Sequence, residues 1–435
     1  MISMYVSDCL GVNEKGHLTV SGCDTVDLAK EYGTPVIVYS EDQIRQNCRD
    51  FVSSIDENYG GNGMVLYASK AFCCKKMCRI CKEEGMGLDV VSGGELYTAI
   101  DAGFPTEKIY FHGNNKTVAE LVYAVEHGVG RVVVDNIFEL ERLDKIAHDL
   151  GKKVKILLRI KPGIDAHTHD FIRTGQIDSK FGFALETGEA MDAVVKAISF
   201  TNIELVGLHC HIGSQIFDID PFELAAKVML EFMADIKQDK GIEFKELNLG
   251  GGFGIKYLKT DAPRPFTEYM KKVACVVKET CKALNLDMPF VLIEPGRSIV
   301  GAAAVTLYTV GAVKKIPDVR TYVSVDGGMT DNPRYILYQS KYEILCANKA
   351  NEERSETVTV AGKCCESGDL VQEWAPLQKV EPGDILAVLS TGAYNYSMAS
   401  NYNRVPRPPV VMVKDSKPEL AIRGESFSDM VKNDL

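Results

Sequence analysis

A rhythm constrains this chain more than any single residue does. Short runs rich in β-branched and apolar residues, each closed by Gly, Asn or Ser, recur with helical patterns between them. The runs are Met64 to Lys70, Gly87 to Ser92, Ile109 to Asn114, Arg131 to Asn136, Lys155 to Pro162, Glu204 to Ser214, Glu246 to Gly254 and Phe290 to Arg297, and their length and make-up are those of strands. Between them Cys73 to Glu84, Val118 to His127, Phe138 to Leu150, Pro221 to Lys237 and Phe266 to Leu284 carry helical periodicity. Such alternation builds parallel βα units, and eight of them fit a closed (β/α)8 barrel of the TIM type. A doubly wound open sheet shares the alternation, so the unusual polar residues must decide. Lys70, Asp89, His112, Asn114, Arg159, His211, the Gly250-Gly251-Gly252 run, and Glu294 with Arg297 all fall at C-terminal strand ends. In a barrel those ends surround one mouth, where active sites lie.

Beyond Val310 the pattern turns to short strands broken by Gly, Pro and Asp, with one longer helix expected between Asn332 and Ala350. The chain thus divides into a barrel over 36–305 and a mostly β domain over 306–435, with segment 1–35 completing the latter and Thr34-Pro35 marking the passage. At 435 residues, 46% of them hydrophobic, it can fill two cores. A formal charge of -11 with no long basic run argues against nucleic acid or an anionic membrane as partner and leaves a small molecule. Ser298 to Val313, the longest uncharged apolar-rich stretch, is shorter than the roughly 20 residues a spanning helix needs and reads as strand. Met1 to Val20 has no basic segment leading into an apolar one, and the 13 cysteines are odd in number. Reduced thiols in a cytoplasmic protein are the expectation. Cys73, Cys74, Cys78 and Cys81 have metal-like spacing but fall in a helical pattern where 74, 78 and 81 share one face, so buried small side chains are preferred to a metal site.

Each polar group has two readings. A lysine ending an apolar strand, as Lys70 does, can be a desolvated amine reactive towards an aldehyde, or it can simply emerge into solvent. The triglycine can present successive backbone N–H groups to a phosphate, or make a tight turn. Glu294 can pair with a protonated ring nitrogen beside Arg297, a guanidinium suited to a carboxylate or phosphate, or the two can form a structural salt bridge. His209 and His211, two apart on one strand face, can stack on a flat ligand or line the pore as satisfied imidazoles. Converging on one mouth, a reactive lysine, a phosphate cradle, a ring-nitrogen carboxylate and a stacking histidine are the parts pyridoxal phosphate requires.

The chain resembles the fold-type III, or alanine-racemase-like, pyridoxal-phosphate decarboxylases, and among them the diaminopimelate decarboxylases, from about Pro35 to Pro406. The resemblance lies in Tyr67-Ala68-Ser69-Lys70-Ala71, the stretch from Thr168 through Thr174-Gly175 to Ser179-Lys180-Phe181-Gly182, His209-Cys210-His211-Ile212-Gly213-Ser214-Gln215, Gly250-Gly251-Gly252-Phe253-Gly254, Glu294-Pro295-Gly296-Arg297, Cys365-Glu366-Ser367-Gly368-Asp369 and Gly392-Ala393-Tyr394. It implies that Lys70 holds the cofactor as a Schiff base, with Asp89 nearby, that His211 stacks on the ring and that Glu294 keeps the ring nitrogen protonated. Ser214, Gly250, Gly251, Gly252, the backbone of Glu294 through Gly296 to Arg297, and Tyr394 are then the phosphate's partners. Cys365 becomes the proton donor after carbon dioxide leaves, its thiol being of suitable acidity. Arg297, Arg334, Tyr338, Glu366 and Tyr394 correspond to the residues that grip the distal end of diaminopimelate. Asn332-Pro333-Arg334-Tyr335 departs from the usual Arg-Pro-x-Leu-Tyr pattern, which leaves the register of Arg334 open. The resemblance further implies a homodimer with shared active sites and the conversion of meso-2,6-diaminopimelate to L-lysine. The competing readings are a decarboxylase of ornithine or arginine and an amino-acid racemase on the same barrel. Glu366 in its Ser-Gly-Asp setting speaks against the first, and the retained Cys365-Glu366 pair against the second.

Overall fold

The computed structural model describes residues 6–164 and 179–435. The chain forms two compact units, one of Asn47–Gly254 with Pro263–Gly296, the other of Met1–Gln46, Ile255–Ala262 and Arg297–Leu435.

The first unit is the barrel. Its strands are β1 (Gly63–Ala68), β2 (Gly87–Val90), β3 (Ile109–Phe111), β4 (Arg131–Val134), β5 (Val154–Lys161), β6 (Ile203–Cys210), β7 (Glu246–Asn248) and β8 (Phe290–Ile293). Each pairs in parallel with the next, and β8 pairs with β1 through Val291–Gly63 and Ile293–Val65. The ring is closed, so the eight C-terminal ends face one way. Leu66, Tyr110, Val133, Leu157 and Leu292, from five strands, make one buried cluster inside it. Towards the strand beginnings Glu246 accepts hydrogen bonds from Arg131 Nε at 3.0 Å and the Tyr110 hydroxyl at 3.2 Å.

The helices begin where the sequence signals them. Ser92, Thr117 and Asn136 cap the helices Gly93–Asp101, Val118–Glu126 and Ile137–Asp149, each accepting the backbone N–H of a glutamate three residues on. Such caps contribute about 1 kcal/mol each, and they fix where three of the mouth loops end. Cys74, Cys78 and Cys81 are buried along helix Lys75–Glu83, as small core side chains. Behind the β3–β4 loops Lys116, also buried, donates to Glu139 Oε1 at 2.7 Å and to the carbonyls of Gly113 and Val133.

The second unit holds a mixed sheet in the order Leu370–Leu377, Glu356–Ala361, Arg320–Val325, Ala304–Ile316, Val36–Ser40, Val410–Lys414 and Lys417–Ile422. Val36–Ser40 is wholly buried, antiparallel to Ala304–Ile316 on one side and parallel to Val410–Lys414 on the other. The long strand serves both faces, Val305 and Leu307 lying in one core, Tyr308 and Val310 in the other. Two local expectations change. The helix foreseen between Asn332 and Ala350 is only Arg334–Tyr338, ended by Gln339 in the left-handed region, after which the chain extends into strand Ile344–Cys346. The apolar stretch from Ser298 starts as helical turns, Arg297–Val300 and Gly301–Ala303, and becomes strand at Ala304.

Removing one member of a buried ion pair costs about 3–5 kcal/mol, whereas replacing both with apolar groups is often neutral. Lys116→Ala should therefore lower the denaturation midpoint strongly, and Lys116→Met combined with Glu139→Leu should recover most of the loss. Equal loss in both variants would show that the carbonyl contacts of Lys116, and not its pairing with Glu139, carry the stability.

Candidate active site

At the barrel mouth the strand register sets the chemistry. Lys70 lies two residues past β1, on the short turn Ser69–Ala71, and is exposed. Of its two readings, the amine emerging into solvent is the one observed, although Ser69 and Ala71 on either side are buried. Asp89 on β2 and His112 just beyond β3 are buried, His112 Nε2 standing 3.8 Å from Asp89 Oδ1. Burial raises the Asp89 carboxyl above its ordinary range, against the pull of His112, and Asp89 Oδ1 has no hydrogen-bond partner.

Glu294, one residue past β8, is the focus. Asn248 Nδ2 donates to its Oε1 at 2.7 Å, and His209 Nε2 meets its Oε2 at 3.1 Å. His112 Nε2 is 2.8 Å from Oε1, close enough for an ion pair but outside the angle of a directed hydrogen bond. Burial alone would push this carboxyl up, yet His112 and His209 outweigh it and hold it well below the usual carboxylate range. His209 itself is pushed down to about 4 by burial. The negative charge therefore sits on Glu294.

His211 takes a different place from His209. Gly251 N–H donates to its Nδ1 at 3.3 Å, and burial holds the imidazole well below its ordinary value. Around it the triglycine leaves no room for side chains. Gly250 has φ +68°, and a Cβ there would meet the Cys210 carbonyl oxygen at 2.5 Å; at Gly251 it would meet that of Glu294 at 2.1 Å. Backbone thus replaces side chain along the loop, the condition for N–H groups to approach a phosphate. Ser214 is half-buried four residues past β6, and a Cβ on Gly296 would lie 2.9 Å from that of Ala68. An exposed amine, a backbone cradle, an imidazole platform and a buried ionised carboxylate fit pyridoxal phosphate.

Further mouth residues went unread in the sequence. Glu95 accepts the Val91 N–H at 2.8 Å, and burial raises its carboxyl to about 7; its Ser92-x-x-Glu95 spacing signals a cap and hides any other role. Asp135, past β4, accepts the Gly182 N–H at 3.0 Å and lies 3.9 Å from Arg159 Nε, while Arg159 sits over the Phe181 ring at 4.3 Å. Thr168, Thr174 and Gly175 of the motif preceding Phe181 lie outside the described residues.

The remaining candidates belong to the β unit. Arg297 and Arg334 are buried cations among phenols, Arg297 4.9 Å and Arg334 5.2 Å from the Tyr394 ring centre. Arg297 donates to the Tyr257 hydroxyl at 2.5 Å, and Arg334 lies 5.0 Å from the half-buried Tyr338 ring. Arg334 Nε has no hydrogen-bond partner. Cys365 and Glu366 are exposed on a loop tied down by Asp369, which accepts the N–H groups of Cys364 and Met329, both at 2.7 Å. Adjacent Cys364 is partly buried, and burial with Asp369 nearby raises its thiol to about 11.

Comparison with known proteins agrees with this geometry. The family described as pyridoxal-dependent decarboxylase, pyridoxal binding domain, matches residues 41–301. The chain is 52% identical over 420 residues to a diaminopimelate decarboxylase of Bacillus methanolicus, covering 97% of each chain. It is 50% identical over 432 residues to that of Bacillus subtilis, covering 99% of this chain and 98% of the relative. A solved diaminopimelate decarboxylase from M. jannaschii in complex with L-lysine superposes with a TM-score of 0.91 at 36% identity, covering 99% of both chains.

Placing a methyl group at 2.5 Å from the Cys210 carbonyl oxygen at positive φ costs on the order of 1–3 kcal/mol in backbone strain alone. Gly250→Ala should accordingly weaken pyridoxal phosphate binding about tenfold or more, measured by cofactor titration of the stripped protein. Unchanged affinity would remove the loop from the phosphate cradle.

Proposed function

Because the chain belongs to the diaminopimelate decarboxylases, within the family of pyridoxal-dependent decarboxylases, we propose that its barrel mouth is the catalytic centre in which meso-2,6-diaminopimelate becomes L-lysine and carbon dioxide. The observation that carries this reading is the meeting of Lys70, the Gly250 to Gly252 cradle and the ionised Glu294 at the C-terminal ends of one closed set of strands.

Pyridoxal 5'-phosphate, when bound, supplies the electron sink for the pair left behind as carbon dioxide departs. Lys70 Nζ would be the amine that holds its aldehyde. Exposure of Lys70 on a turn past the strand end leaves the amine free to do so. Glu294 would hold the ring nitrogen's proton and His211 would support the ring, while Asp89 lies on the strand beside β1. Ser214, the glycine loop and the backbone from Glu294 to Gly296 would hold the phosphate. Arg297, Arg334, Tyr338, Tyr394 and Glu366 grip the distal carboxylate and amine; a buried guanidinium with an unpartnered Nε suits a carboxylate end. Cys365 Sγ returns a proton to the carbon that has lost its carboxylate. Its exposure together with Glu366 supports a site completed across a two-fold axis, each chain lending its Cys365 loop to the partner's barrel. No helix among the described residues is long and apolar enough to cross a membrane; a cytoplasmic homodimer acting on a small amino acid is the reading proposed.

Borohydride reduction followed by peptide mapping should trap the cofactor on Lys70, and Lys70→Ala should lose the yellow colour; capture on a different lysine overturns the assignment. Sharing of sites is tested by mixing Lys70→Ala and Cys365→Ala subunits, each nearly inactive alone. A heterodimer then carries one site with both defects and one with neither, so activity up to half that of the native dimer should return. Complete subunit exchange, seen by mass spectrometry, without recovered activity would mean that each chain uses its own Cys365.

A further inference from the structure

Two fully buried groups at the mouth, Asn248 and His209, have no part in the reading above, and both are aimed at Glu294. We infer that Asn248 and His209 are positioning residues that keep the Glu294 carboxylate a poor proton acceptor, so that the proton it shares with the cofactor's ring nitrogen stays on the nitrogen. The inference rests on the assignment of Glu294 to that nitrogen.

The orientation of Asn248 follows from its neighbours. The Gly250 N–H can only donate, and it does so to Asn248 Oδ1 at 2.9 Å. The amide nitrogen therefore points the other way, 2.7 Å from Glu294 Oε1. His209 stands directly opposite Asn248 in the β6–β7 ladder, with Nε2 3.1 Å from the second carboxylate oxygen. Its Nδ1 meets neither donor nor acceptor, which leaves the proton of the neutral ring on Nε2, facing Glu294. Burial, which holds this imidazole down to about 4, makes His209 a donor that adds no charge of its own at neutral pH. Each oxygen of Glu294 is thus served by one neutral donor, and donation to the charged form of an acid lowers its proton affinity. His112, Asp89, Lys70, Arg159, Cys210 and His211 also act on this cluster, His112 Nε2 standing 2.8 Å from Oε1, while Asn248 and His209 make the directed hydrogen bonds to the carboxylate among the described residues.

Holoenzymes loaded with pyridoxal phosphate carrying 15N at the ring position test this through the nitrogen's chemical shift. In the native protein the shift should be that of a protonated ring nitrogen. His209→Phe and Asn248→Ala should move it towards the unprotonated value, while His209→Gln, which keeps an N–H donor, should restore it at least in part. Cofactor affinity should fall about tenfold in His209→Phe, the loss expected for one hydrogen bond to a charged group. A merely structural tie between Asn248 and the glycine loop would weaken binding but leave the nitrogen shift in place, and that result overturns the inference for Asn248. Should Asn248→Ala fail to fold, the His209→Phe and His209→Gln pair decides alone: equal, native-like shifts in both refute it. Glu294→Gln separates the two levels. If it leaves the nitrogen protonated, the role of Glu294 itself falls; if it removes the proton while His209→Phe and Asn248→Ala do not, only the present inference does.

Discussion

An ionised carboxylate sealed among apolar strands costs several kcal/mol in lost hydration, and the barrel mouth is arranged around meeting that cost at Glu294. The means are structural before they are chemical. Parallel registration of β6, β7 and β8 sets His209 beside Asn248, and Asn248 beside Leu292, two residues before Glu294. The Glu294 N–H donates to the Gly250 carbonyl at 2.8 Å, so the carboxylate's own backbone is tied to the loop that its amide partner also holds. A slip of one residue in any of these strands would turn the donors away and leave a buried charge alone. The closed ring forbids such a slip, because each strand is held on both sides.

How much of this could be read from the sequence depends on the distance over which the determining force acts. The eight barrel strands are legible because each is a short apolar run with a polar residue at its end, and the helices Val118–Glu126 and Ile137–Asp149 because their apolar residues recur at helical spacing, whereas Gly93–Asp101 goes unread. Lys70, His211 and Glu294 announced themselves by sitting where strands stop. Asn248 did not, since an asparagine two residues before a triglycine reads as part of a turn. Only the ladder shows that its amide is committed to a carboxylate forty-six positions away. Val36–Ser40 lies in sequence just ahead of the barrel strands, yet it pairs with strands from the far end of the chain. Pairing of that range leaves no trace in local periodicity. The 332–350 segment misleads for the opposite reason: its helical turn is real but ends where Gln339 adopts a left-handed backbone.

The β unit handles charge in another way. Arg297 and Arg334 are buried among the rings of Tyr257, Tyr338 and Tyr394. Ring faces attract a guanidinium without neutralising it. On the Cys364–Cys365 loop the division of labour follows exposure. Cys364 is partly buried beside Asp369, which keeps it a thiol, whereas Cys365 is turned outwards and accessible.

The mixed sheet of the β unit has a consequence for how the protein is made. Val36–Ser40, buried along its whole length, is synthesised before every barrel strand, yet both of its neighbours in the sheet, Ala304–Ile316 and Val410–Lys414, are synthesised only after the last of them. A nascent chain can close its barrel while this Val-Ile-Val-Tyr segment still has two open edges, the state in which strands pair with the wrong partner. During that interval it is a natural resting place for a chaperone. A message broken before codon 410 would yield a product whose barrel strands are all present but whose apolar strand stays open along one edge, and such a product would be marked for aggregation or degradation rather than for slow catalysis.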